Sequence, residues 1–165
     1  MFTYILINHP NSLPIDTKEV DTIFARLQEV IDRPQQGIVN IICVDEEEIR
    51  KWNKEYRGKD KETDILTFPY FEDFSECKED DVVGEILICL DQLKNQSKQW
   101  VWNDCLLVTG NWLLDEYYRI LVHGLVHLLG YDHETEEDWE EMRGIEEKIS
   151  SCLLYTSPSP RDDIS

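Results

Sequence analysis

Three things are scarce in this chain. Cations are few: 16 Lys and Arg stand against 35 Asp and Glu, a formal charge of −19. A domain that grips nucleic acid over its whole surface needs Lys and Arg to displace the counterions on the phosphates, so that mode is excluded and only a local basic patch is left. Long apolar runs are missing as well, each being broken well before 18 residues, which removes a membrane span. Paired cysteines are absent: five occur, at 43, 77, 89, 105 and 152, with no C-x-x-C spacing. They are expected to pack as small buried hydrophobes in a reducing compartment. Met1-Phe-Thr-Tyr-Ile-Leu-Ile lacks the basic start of a signal peptide, so the expected location is the cytoplasm.

What is present suits a globular fold. The 165 residues are 41% hydrophobic and 10% aromatic, one domain's worth of core. Alternation predicts a strand at Phe2–Asn8, a β-branched and mostly apolar run a buried one at Gly37–Val44, and further strands are expected at Ile65–Phe68 (stopped by Pro69) and Val82–Leu90. Helical spacing of Val20, Ile23, Phe24, Leu27, Val30 and Ile31 predicts a helix capped by Asp16 or Thr17 and running to about Asp32, and Asp45 caps a second that ends near Gly58. Further helices are expected at Asp91 to about Val101, Trp112–Leu129 and Thr135–Ser150. The fold class is therefore α/β or α+β: a small mixed sheet of about four strands packed by helices, with Trp112–Leu129 central and buried.

Residues 1–151 are expected to form a single domain. From Cys152 the composition changes abruptly, and Leu-Leu-Tyr-Thr-Ser-Pro-Ser-Pro-Arg resembles the translation of a sequencing-adapter oligonucleotide. Residues 152–165 are expected to be a non-native, disordered tail that carries no function.

Chemistry concentrates in one stretch. Three of the four histidines lie in His123-Gly-Leu-Val-His127-Leu-Leu-Gly130-Tyr131-Asp132-His133. His123 and His127 share one face of a helix, and a turn at Gly130 can return His133 to the same point. Three neutral imidazoles at one locus make a Zn²⁺ site with an open fourth position, as catalytic zinc requires. The spacing equals that of the metzincin proteases, which carry a Glu beside the first His as general base. Gly124 occupies that position, so the protease chemistry does not follow.

That stretch resembles the signature of the YbeY endoribonucleases, ribosomal-RNA maturation and quality-control factors. Two further stretches agree: Asn53-x-x-Tyr56-Arg57-Gly-Lys59-Asp60-Lys61-x-Thr63-Asp64-Ile65-Leu66-Thr67-Phe68-Pro69, and Gly84-Glu85-Ile86. The resemblance implies a zinc-dependent, single-strand-specific endoribonuclease with one Zn²⁺ held by His123, His127 and His133. It implies a role in 16S rRNA 3′-end maturation, with ribosomal RNA, the small ribosomal subunit and its assembly factors as partners, and neither DNA nor membrane. It also makes Arg57 and His123 the catalytic residues, Arg57 as the phosphate ligand; a guanidinium holds a phosphodiester bidentately. Arg57 lies in the local basic patch, for residues 50–61 hold six of the sixteen cations.

The chain departs from the pattern in two places. Glu85 stands where the family has Asp, and about ten extra residues are expected near Gln96–Gly110. Glu85 and Glu116 are the carboxylates open to a general-base role, and Tyr131 and Asp132 are expected to shape the turn or orient ligands. The acidic run from Glu134 to Glu147, Glu146 included, reads as a solvated helix face. A ribosome-assembly factor with structural zinc and a zinc hydrolase of other specificity stay open as alternatives.

Overall fold

The computed structural model describes residues 1–97, 112–132 and 134–156. Strands β1 (Thr3–Ile7), β2 (Ile38–Val44), β3 (Ile65–Pro69) and β4 (Val82–Cys89) form one sheet in the order β1-β2-β4-β3. β1, β2 and β4 run parallel, and β3 is antiparallel to β4 at the edge. Pro69, expected to stop the third strand, is instead its last residue, opposite Gly84. Proline is tolerated on an edge strand, where it need not donate to a ladder.

Helices α1 (Thr17–Val30), α2 (Glu46–Arg57), α3 (Leu90–Ser97), α4 (Trp112–Leu128) and α5 (Glu136–Thr156) surround the sheet. The expected caps form: Asp16 accepts from the Lys18 N–H at 2.9 Å and Asp45 from Glu48 at 2.7 Å. Each satisfies a donor that the first helical turn leaves without a partner. The last helix continues to Thr156, beyond the expected end at Ser150. No Gly or Pro follows until Pro158, so nothing in the local sequence breaks it. Residues 157–165, most of the expected insertion and His133 lie outside the described residues.

α2 covers one face of the sheet through Ile49, which packs with Leu66, Leu87 and Cys89. α1, α4 and α5 cover the other, where α4 contributes Tyr117, Leu121, Val122, Leu125 and Val126, all fully buried. Each such aliphatic side chain is worth about 1.5–3 kcal/mol of burial. Cys43, Cys77 and Cys89 are free and buried, as expected, and burial pushes the Cys43 thiol up to about 12.

Candidate functional site

Two glycines bring α4 down onto the sheet. A Cβ at Gly124 would meet the Ile65 Cδ1 at 2.6 Å, and one at Gly84 would meet the Leu128 Cδ1 at 2.8 Å and the Phe68 carbonyl at 3.2 Å. Gly124 therefore faces β3 with no room for a longer side chain. The position beside the first histidine lacks both the carboxylate and the space a protease base needs.

This packing lays the partly exposed stripe of α4 along the open edge of β3. His123 and His127 line a cleft of about 340 Å³ with Ile65, Leu66, Thr67 and Phe68 of β3 and Tyr56 and Arg57 of α2. Arg57 is the last residue of α2, whose C-cap is Gly58 at φ 68°, a left-handed conformation that favours glycine. The loop beyond is tied back to the helix: Arg50 Nε donates to Asp60 at 2.8 Å, and Asn53 Nδ2 donates to the Lys61 carbonyl at 2.9 Å. The Arg50 hydrogen bond is the main cause that holds the Asp60 carboxyl below its ordinary range. Within the basic stretch, Arg50 thus fastens the loop and Arg57 faces the cleft.

The two imidazoles are oriented from behind. His127 Nδ1 lies 2.7 Å from the Tyr131 carbonyl oxygen and His123 Nδ1 lies 2.9 Å from Glu146 Oε1. A carbonyl and a carboxylate only accept, so each Nδ1 carries a proton, and the tautomer this selects for a metal-ligating imidazole has its lone pair on Nε2. The rings are nearly parallel, 10° apart, with centroids 6.3 Å from one another. Gly130, at φ 96°, ends the helix and turns the chain. Arg33 braces that turn, donating to the Leu129 carbonyl and lying 4.2 Å over the Tyr131 ring. Tyr131 orients the His127 imidazole through its backbone oxygen, while its ring packs under Arg33 at the turn.

This arrangement fits a metal ion by its donor set: two Nδ1-anchored imidazoles on one helix, each with an outer hydrogen-bond acceptor, as ligating histidines ordinarily have. Among the described residues no group of three possible ligands converges. His133, the expected third, lies outside them.

Three expectations are corrected. Glu85 does not join the histidines. Its strand neighbours Gly84 and Ile86 face α4, so Glu85 projects from the opposite face, where it accepts a hydrogen bond from the Tyr70 hydroxyl. Burial first, then that bond, pushes Tyr70 up to about 12. Glu116 is buried and bound by Arg119 through contacts of 3.0 and 3.2 Å. It stands seven residues before His123, roughly 10 Å along the helix, too far to move a proton there. Glu146 does not belong to a purely solvated face. It sits one turn from Met142 and Ile149, both buried, and a carboxylate on that apolar stripe was the signal available in the sequence.

The fourth histidine is separate. His9 Nε2 pairs with the Tyr117 hydroxyl at 2.7 Å and Nδ1 with the Ile7 carbonyl at 3.0 Å, and burial lowers its pKa.

Fold and site together define an α/β domain whose central helix presents two oriented imidazoles to a cleft facing an arginine. A model of the family "Endoribonuclease YbeY" matches residues 7–153. A protein described as Endoribonuclease YbeY from Carboxydothermus hydrogenoformans is 40% identical over 117 residues, 71% of this chain and 73% of its own. One from a Thermoanaerobacter species is 39% identical over 146 residues, 82% of this chain and 84% of its own. A solution structure of a Thermotoga maritima protein superposes with a TM-score of 0.52 at 26% identity, covering 92% of this chain and 90% of that one. The chain belongs to the endoribonuclease YbeY family.

Proposed function

We propose that this chain is a zinc-dependent endoribonuclease that cuts single-stranded RNA, with ribosomal RNA as its substrate class. The processing of 16S rRNA at its 3′ end, on or beside the small ribosomal subunit, is the reaction the family points to. That substrate implies the cytoplasm as the place of work. The observation that carries this reading is the shared cleft of Arg57, His123 and His127, in which both imidazoles are fixed through Nδ1.

His123 and His127 would hold the metal, with His133 as the third ligand that the histidine spacing supplies. Zinc, when bound, supplies a Lewis acid that acidifies water toward neutral pH and polarises a phosphoryl oxygen. Arg57 engages the scissile phosphate bidentately and stabilises the charge that develops on it. Glu146 and the Tyr131 carbonyl keep the imidazoles in the tautomer that ligation requires. The net charge of −19 confines RNA to the one basic segment, so the acidic surface elsewhere repels it.

The test is cleavage of an unstructured RNA by the purified chain, with and without chelator, beside His123→Ala as a contamination control. Cleavage lost with both treatments and restored by zinc is expected. No cleavage from a folded, zinc-loaded chain sinks the reading and favours an assembly factor with structural zinc.

A further inference from the structure

A second cleft, of about 300 Å³, continues from the first along the same edge of the sheet. It is lined by Pro69, Tyr70, Phe71, Glu72, Leu128 and Gly130, and by His127, which lines the first cleft too. The two clefts differ in chemistry. The first offers Arg57; the described residues lining the second include neither Lys nor Arg, and one of them is the carboxylate of Glu72. The Glu72 carboxylate disfavours a phosphate there, and the cation beside Gly130, Arg33, is already engaged by the Leu129 carbonyl and the Tyr131 ring. A flat, uncharged ring with N–H groups at its edge is suited to it, since Pro69, Phe71 and Leu128 give an apolar wall and Glu72 an acceptor.

Phe71 is 46% exposed, a large apolar ring held at the surface beside the metal ligands. On the other side of the histidines Tyr56 is 59% exposed and stacked on Trp52, with centroids 5.3 Å apart. An exposed aromatic in each of two clefts that meet at His127, one of them holding Arg57, repeats the plan by which proteins hold single strands, with bases stacked on rings and the backbone on cations.

We infer that the second cleft is a nucleobase subsite, in which Phe71 stacks the base of a nucleotide next to the scissile phosphate. This deepens the ribonuclease reading and rests on it. A base paired in a duplex cannot reach that wall, so the subsite selects single strands directly. Because His127 borders both clefts, a strand whose phosphate lies at Arg57 has its neighbouring base carried into the second one.

The experiment uses the zinc-loaded full chain and a short, unstacked oligouridylate carrying 2-aminopurine at one position at a time. Stopped-flow fluorescence reads the binding phase before cleavage. Stacking quenches 2-aminopurine, so quenching is expected at one position with the native chain. It is expected to be lost in Phe71→Ala and regained in Phe71→Trp, with Phe71→Ala binding about tenfold more weakly, within the range measured for removing one base–aromatic stack. Tight, Arg57-dependent binding with no position sensitive to Phe71→Ala overturns the subsite and leaves the ribonuclease reading standing. Absence of RNA binding overturns both. Self-association of the chain that Phe71→Ala abolishes, with 2-aminopurine silent, assigns the cleft to a contact between copies and also overturns the subsite.

Discussion

Glu146 Oε1, on the last helix, lies 2.9 Å from Nδ1 of His123, twenty-three residues earlier in the chain. The contact joins α5 to α4 and places a carboxylate behind an imidazole, which fixes the ring's tautomer and orientation. Glu146→Ala is expected to weaken zinc binding by about 10- to 100-fold, the usual cost of losing such a partner. Glu146→Gln, which keeps an acceptor without the charge, is expected to fall between. Competition with a chromophoric chelator measures both, and an unchanged zinc affinity in Glu146→Ala would count against the role.

Arg57 is exposed at the end of its helix, so truncating it removes little packing. Arg57→Ala is expected to keep the stability of the native chain within about 0.5 kcal/mol and to bind added zinc as the native chain does. RNA cleavage is expected to fall by roughly 10²–10³, the scale of losing one preorganised group aimed at transition-state charge. Arg57→Lys is expected to recover only part of that rate, because an ammonium does not reproduce a bidentate fork. Denaturant melts, metal content and single-turnover rates together separate these outcomes.

Gly84 is a packing residue. An added methyl group would press on Leu128 at 2.8 Å and on the backbone oxygen of Phe68 at 3.2 Å, and Leu128 is buried. Gly84→Ala is expected to cost about 1–3 kcal/mol, the usual range for overpacking. Trimming the obstructing side chain in the double variant Gly84→Ala, Leu128→Val is expected to cost less than the two single changes added together. Urea unfolding of the four proteins completes the cycle.

His9 gives the acid limb of stability. Its folded pKa is lowered by burial, against a smaller opposing effect of the Ile7 carbonyl. The unfolded chain, with a histidine near its ordinary value of about 6.5, therefore binds the proton more readily than the folded one. Stability is fully present above that value and is lost as pH falls through it toward the folded pKa. The stability advantage of the native chain over His9→Gln is expected to shrink from pH 7.5 to 5.5, in melts with unfolding read at each pH. An advantage that grows on acidification reverses the sign and rejects the assignment.

Much of the frame was legible in advance because it is local. Alternation or short β-branched, apolar runs marked all four strands, aspartates marked two helix starts, and Gly58 and Gly130 marked two helix ends where left-handed backbone is needed. The histidine spacing placed His123 and His127 on one helical face. Glu85 and Glu116 misled because each is near the histidines or the motif in sequence, while side-chain direction is set by the strand's alternation and the helix's rise. Glu146 was hidden among eight acidic residues of its segment, since charge counts do not tell which carboxylate a neighbouring helix will cover.

The sequence alone determined the elements, the buried character of α4 and the stripe on which its histidines lie, since these follow from periods of two and 3.6 residues in one stretch of chain. Only the tertiary structure decided that the arginine ending α2 faces those histidines across the edge of β3, and that Glu146 stands behind one of them. The physical reason is close packing. Two glycines, forty residues apart, let α4 settle against β3 and β4, and the partners that this approach brings together depend on the shapes of surfaces distant in sequence.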